Sequence, residues 1–238
     1  EFCNRTGLSK SPLTTLNKKG WVKFDNKIEV IDPFSGRDLV RDTPPQLTAA
    51  QQNCVAVINK SIDAKHHQDF LMYGITGSGK TEVYLHALER CLAQGRGGIV
   101  LVPEISLTPQ TVARFRARSG DVAVLHSGLT DAERHDQWLA IREGKLRVVV
   151  GARSALFAPV PNLGIIIVDE EHESTYKQES TPRYQAREVA RERARLESAV
   201  CVLGSATPSL ESWQAAIDAP DMQLLYLRDR VAGGSLPP

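Results

Sequence analysis

Leu71-Met72-Tyr73-Gly74-Ile75-Thr76-Gly77-Ser78-Gly79-Lys80-Thr81 is a short apolar run that passes into G-x-x-x-x-G-K-T. The run reads as a buried strand, and Gly74 to Thr81 as a loop that cradles phosphate. Gly74, Gly77 and Gly79 let successive backbone N–H groups turn inward onto anion oxygens, where a Cβ would obstruct them. Ile75, Thr76 and Ser78 complete the cradle. The helix expected next points its positive N-terminal end at the same anion. In this pattern Lys80 reaches the β- and γ-phosphates of a nucleoside triphosphate, and the Thr81 hydroxyl holds Mg²⁺.

Outward from this loop, strands and helices alternate. Strands are expected over 70–73, 98–102, 122–125, 148–150, 164–168 and 200–203. Helices are expected over 80–94, 109–118, 131–143, 184–196 and 209–217. Thr48 is placed to cap a further helix running to about Lys60. Most strands are unbroken β-branched or leucine runs, as suits strands buried on both faces. In the helix after the loop, Val83, Ala87, Leu88, Cys91 and Leu92 share one face. The fold class is therefore α/β, a mostly parallel sheet flanked by helices. Ligands of such sheets sit at the carboxyl ends of the strands, where the phosphate loop lies.

Two further segments end strands at that edge. Ile165-Ile166-Ile167-Val168-Asp169-Glu170-Glu171-His172 delivers paired carboxylates on an apolar strand. Asp169 is expected to hold Mg²⁺ through water, and Glu170 to polarise an attacking water. Gly204-Ser205-Ala206-Thr207-Pro208 places small hydroxyl residues, Ser205 and Thr207, where they can hydrogen-bond the acidic turn and report nucleotide state.

The 238 residues carry a net charge of +1, with 42% hydrophobic and 24% charged side chains. That balance excludes a uniformly basic nucleic-acid binder and leaves room for a local basic groove. The four cysteines make no C-x-x-C pair, so no zinc is expected in this segment. Cys54, Cys91 and Cys201 sit among apolar residues and read as buried free thiols of a reducing cytosol. No apolar run reaches membrane-spanning length, and the expected location is cytoplasmic. The chain begins without Met and ends in Gly233-Gly234-Ser235-Leu236-Pro237-Pro238, as a piece of a longer protein would. Four parts are expected. Residues 1–31 read either as the end of a winged-helix domain, with a β-ribbon from Trp21 to Phe24, or as an unrelated helix and hairpin. Residues 32–46 form a linker, 47–230 the nucleotide-binding domain, and 231–238 a second linker.

Taken in order, these segments resemble the nucleotide-binding lobe of superfamily 2 helicases, which implies a RecA-like P-loop NTPase fold. Asp169 to His172 matches the DEEH form of motif II, which adds Glu171 and His172 to the cofactor site. Leu47-Thr48-Ala49-Ala50-Gln51 resembles the glutamine motif, in which Gln51 reads the adenine edge; the alternative is a plain helix cap. A narrower resemblance is to the primosomal protein N′ family of bacterial replication-restart helicases. It rests on Val102-Pro103-Glu104-Ile105-Ser106-Leu107-Thr108-Pro109-Gln110, Leu125-His126-Ser127-Gly128-Leu129 and Gly151-Ala152-Arg153-Ser154-Ala155-Leu156-Phe157. Ser174-Thr175-Tyr176-Lys177-Gln178-Glu179 and Thr181-Pro182-Arg183-Tyr184 add to it. The related fork-reversal helicases carry DEQH and a different segment at 102–110.

The resemblance implies ATP and Mg²⁺ as cofactors and 3′→5′ unwinding of DNA at stalled or repaired forks. It implies branched or single-stranded DNA, other primosome proteins and single-strand-binding protein as partners. Ser106, Thr108, Arg153 and Ser154 would touch the DNA backbone. Tyr176, Lys177, Gln178, Arg183 and Tyr184 would form a loop that couples DNA to hydrolysis, its exposed aromatics stacking on unpaired bases. In this family a second lobe supplies arginine fingers, each worth about 10³–10⁵ in rate, so a piece without it is expected to hydrolyse ATP poorly. Arg114, Arg116 and Arg118 read either as a solvated helix face or as an extension of a basic patch. Arg187, Arg191 and Arg195, with Glu188 and Glu192, read as a salt-bridged exposed helix. Two other functions fit the motifs: a duplex translocase that separates no strands, and a DNA-binding scaffold with a vestigial nucleotide site.

Overall fold

A computed structural model describes residues 10–23, 43–218 and 222–231. Near the start, α1 (Lys10–Lys18) is followed by Trp21, Val22 and Lys23, which form no strand. Phe24, the remainder of the expected ribbon, most of the first linker and residues 232–238 lie outside the described residues.

From residue 49 the elements alternate as expected. They are α2 (Ala49–Ala64), β1 (Gln68–Gly74), α3 (Lys80–Ala93), β2 (Gly97–Leu101), α4 (Pro109–Ser119) and β3 (Val122–Leu125). Then come α5 (Asp131–Arg142), β4 (Val148–Gly151), β5 (Leu163–Asp169), β6 (Lys177–Gln178) and β7 (Tyr184–Gln185). The last elements are α6 (Ala186–Leu196), β8 (Val200–Ser205), α7 (Leu210–Asp218) and β9 (Met222–Leu227). Seven strands form one sheet in the order β3-β4-β2-β5-β8-β1-β9, and every described pairing in it is parallel.

The apolar runs explain this architecture. Ile165, Ile166 and Ile167 of central β5 are fully buried, because helices cover both faces of the sheet. Ile165 and Ile167 pack with α2, α3 and α4 on one face, and Ile166 and Val168 with α5, α6 and α7 on the other. Ala186, Ala190 and Ala194 recur every four residues and let α6 lie close on the sheet. Cys54, Cys91 and Cys201 are buried free thiols, and burial pushes the Cys91 thiol up to about 12.

The differences from the sequence reading have local causes. β9 is absent from the expected strands, because Met222-Gln223-Leu224-Leu225-Tyr226-Leu227 is an edge strand of mixed exposure with no β-branched run. The helix expected over 184–196 starts at Ala186, because Tyr184 and Gln185 pair antiparallel with Gln178 and Lys177. Of the three arginines expected on an exposed face of α6, two turn inward: Arg187 is buried, and Arg191 donates to Asp69 at 2.8 Å. Arg195 keeps the expected exposed pairing with Glu192, and Arg191 also reaches Glu188 at 3.3 Å. Nor is Arg118 part of a solvated face. Its side chain is 3% exposed and bridges α4 to Glu82 (2.5 Å) and Glu89 (2.6 Å) of α3. The extended aliphatic stem of an arginine permits such inward packing, which charge counting along a helix misses.

Arg118→Ala removes these charge-assisted bonds. A loss of about 1–2 kcal/mol is expected, because Glu89 keeps contact with water. Calorimetry should then show a melting temperature lower by about 2–8 °C.

Candidate nucleotide site and coupling loop

The register of three adjacent strands assembles the site. Met72 of β1 and Asp169 of β5 both lie opposite Gly204 of β8. The phosphate loop, the acidic turn and the Ser205–Thr207 segment therefore leave the sheet side by side. Gly77 and Gly79 both have φ of +81°, which residues with a Cβ rarely adopt. Gly79 is also the N-cap of α3 and supplies no side chain to its first N–H groups, so these stay available to an anion. The Ser78 Oγ is buried without a hydrogen-bond partner, which marks a cradle prepared for another group.

Gln51, Ile75, Thr76, Lys80, Thr81 and Asp169 all line the cleft above this loop, as do Gly77, Ser78, Gly79 and Glu170. The Lys80 Nζ donates to the Gly74 carbonyl at 2.8 Å and stands 3.7 Å from Glu170. Glu170 has a left-handed backbone, φ +47°, which turns the chain sharply after β5. Burial raises the Asp169 carboxyl above its ordinary value and the Glu170 charge adds to this, while the hydrogen bond from Tyr84 and the charge of Lys80 oppose it. Two carboxylates facing one ammonium make a site that favours an added cation. Among the described residues no three His, Cys, Asp or Glu side chains cluster around a metal position. Any divalent ion would thus rely on Thr81, Asp169, water and phosphate oxygens, as Mg²⁺ commonly does.

Three expected ligands have other occupations. Gln51 accepts from the Thr48 N–H at 2.9 Å and donates to the Ser78 carbonyl at 2.9 Å, so its amide closes a capping box and props the phosphate loop. Glu171 is fully buried and points away from the cleft. It accepts from Arg187 (3.2 Å), the Ser209 N–H (2.7 Å) and hydroxyl (3.1 Å), and the Ser212 hydroxyl (2.8 Å). Glu171 thereby locks α6 and the start of α7 to the acidic turn. His172 does not line the cleft; its Nδ1 lies 2.7 Å from the Ser205 Oγ, which also accepts from the Thr207 N–H at 2.9 Å.

The segment after the acidic turn departs from the sequence reading at Tyr176. This ring is buried, not offered for stacking, and its hydroxyl donates to the Asp169 carbonyl at 2.8 Å. Tyr184 is half-buried, edge-on to Phe157 at 5.3 Å and 5.8 Å from the Arg153 guanidinium. Arg153 donates to the carbonyls of Thr175 (3.0 Å) and Lys177 (2.7 Å), so it tethers the loop after β5. Lys177 and Arg183 are exposed and line a groove with Gln178, Tyr184 and Arg187. Ser106 and Ser154 are exposed beyond β2 and β4, and Thr108 caps α4 through the Thr111 N–H at 3.2 Å. Two site residues escaped the sequence reading. Arg114 lines the cleft from α4. Tyr84 is buried and donates to Asp169 at 3.0 Å; a hydroxyl on the apolar face of α3, one turn past Lys80, was its signal.

Residues 48–216 match the DEAD/DEAH box helicase family. The chain belongs to that family. Its RecA-like fold is shared with the structure of RecG bound to a three-way DNA junction, at a TM-score of 0.56 and 21% identity, over 83% of this chain and 26% of that one. Replication restart protein PriA of Bacillus subtilis is 49% identical over 232 residues, which is 97% of this chain and 29% of that protein. PriA of Synechocystis is 45% identical over 235 residues, 97% of this chain and 28% of that protein. The chain thus spans less than a third of the length of these relatives.

Glu171→Ala removes the buried acceptor shared by Ser209, Ser212 and Arg187, while Arg187 keeps Glu188 at 3.6 Å and Glu211 at 3.3 Å. A destabilisation of about 1–3 kcal/mol is expected from urea unfolding. Nucleotide affinity of the folded fraction should stay unchanged, which distinguishes Glu171 from a cofactor ligand.

Proposed function

We propose that this chain is the ATP-binding lobe of an ATP-dependent, 3′→5′ DNA helicase that acts at stalled or repaired replication forks. The observation that carries the proposal is the convergence of Lys80, Asp169 and Glu170 at the mouth of a glycine loop, in a domain nearly half identical to replication restart proteins.

The residues divide the work. Backbone N–H groups from Gly77 to Thr81 bind the phosphates, and Lys80 leaves the Gly74 carbonyl to reach the β- and γ-oxygens. Thr81 and Asp169 would hold Mg²⁺, which would supply positive charge beside the phosphates. Glu170 orients the attacking water and takes its proton. His172, Ser205 and Thr207 link the acidic turn to the next strand end, so nucleotide state reaches the DNA side of the sheet. Arg153, Lys177, Arg183 and Tyr184 form that side, with Ser106, Thr108 and Ser154 along the same strand ends. Contacts of these kinds favour the phosphate backbone of single-stranded or branched DNA over particular bases. Partners within a primosome, single-strand-binding protein and a cytoplasmic location accord with this role. Among the described residues no helix is long and apolar enough to cross a membrane.

Lys80→Ala in the full-length protein tests the reading. ATP hydrolysis should fall at least ~10²-fold, while affinity for a forked oligonucleotide changes little. Hydrolysis that survives the substitution removes the assignment, and wild-type hydrolysis without strand separation on a forked substrate removes the unwinding step.

A further inference from the structure

Asp169 is held from both faces of the sheet by two buried tyrosines. Tyr176 lies in the core layer of α5, α6 and α7 and donates to the Asp169 carbonyl at 2.8 Å. Tyr84 lies in the opposite layer, with α2, α3 and α4, and donates to the Asp169 Oδ1 at 3.0 Å. The Tyr84 side chain is 1% exposed, so no bulk water competes for this bond.

The sequence makes room for this contact at one place. Gly204 of β8 sits beside Asp169 in the sheet. A Cβ on Gly204 would overlap the Tyr84 hydroxyl and lie 2.9 Å from its Cζ. The missing side chain is therefore a notch through which the phenol crosses β8 to the end of β5. The Gly204 carbonyl also accepts from the Glu171 N–H at 3.0 Å, so the same residue fixes the acidic turn from the backbone.

From this geometry we infer that Tyr84, seated over Gly204, is the positioning residue that orients the Asp169 carboxylate for its divalent cation. A phenol has one proton to donate, and it is committed to Oδ1. That bond fixes the carboxylate's rotation and leaves Oδ2 as the oxygen presented to the cation or its water. A carboxylate already fixed loses less freedom when the ion arrives, and partners of this kind typically change metal affinity by about 10–100-fold. The inference rests on the nucleotide-site reading and adds a residue one helical turn beyond the phosphate loop.

The test is Tyr84→Phe in the full-length protein, which keeps the ring over Gly204 and removes only the donor. The Mg²⁺ concentration for half-maximal ATP hydrolysis should rise about 10-fold. Affinity for a fluorescent ATP analogue, read by direct titration, should weaken in Mg²⁺ and stay unchanged in EDTA. On an Asp169→Asn background the same substitution should shift neither quantity further. An equal loss of analogue affinity with and without Mg²⁺, or no change in either, overturns the positioning role. Failure of the wild-type protein to bind the analogue at all overturns the nucleotide-site reading itself, and that outcome is distinct from either.

Discussion

Parallel hydrogen bonding of β8 to β1 on one side and to β5 on the other sets the distance between the phosphate loop and the acidic turn. Strands in a sheet lie about 4.8 Å apart, so two intervals separate the loops by about 10 Å. Within that gap Lys80 reaches the Gly74 carbonyl at the end of β1 and approaches Glu170 beyond the end of β5. The spacing is rigid because all three strands are apolar and covered on both faces. A slip of one residue would exchange their two core layers. The remainder of the site hangs from that frame: Tyr84 crosses at Gly204, His172 meets Ser205, and Arg153 ties down the chain that follows.

Three consecutive residues illustrate how burial assigns roles that residue type does not. Asp169 is oriented by a phenol and presented to the cleft. Glu170, lifted by a left-handed turn, faces Lys80. Glu171 is driven under the sheet edge, where an arginine, two serine hydroxyls and a backbone N–H surround it. Only the third has its charge fully matched by protein. The first two keep an electrostatic demand that a cation can meet, and their adjacency in sequence gives no hint of this division.

Much of this architecture is legible in the residues. Runs such as Ile165 to Val168 carry both strand identity and burial, and G-x-x-x-x-G-K-T fixes where the ligand edge lies. The less legible parts are those decided by tertiary partners. Tyr176 looks like a loop aromatic until the turn after His172 folds it back beneath Asp169. Arg118 and Arg187 look solvated because their charged tips travel farther inward than helical periodicity assumes. Gln51 matches an adenine reader by position, yet its amide closes the space between the α2 cap and the phosphate loop. Edge strand β9 lacks the continuous apolar run of a central strand, because only part of its surface is covered.

The Glu171 cluster has an optical consequence. Ser209 and Ser212, bound to that carboxylate, belong to the first turn of α7 and its cap, so the helix travels with the acidic turn. The next residue along α7, Trp213, stands edge-on to Tyr73 at 5.7 Å, immediately before the phosphate loop begins at Gly74. Its indole thus touches both halves of the nucleotide edge through rigid neighbours, whereas Trp21 and Trp138 are exposed at 79% and 36%. Light emitted by this side chain therefore reports on the contact between α7 and the end of β1.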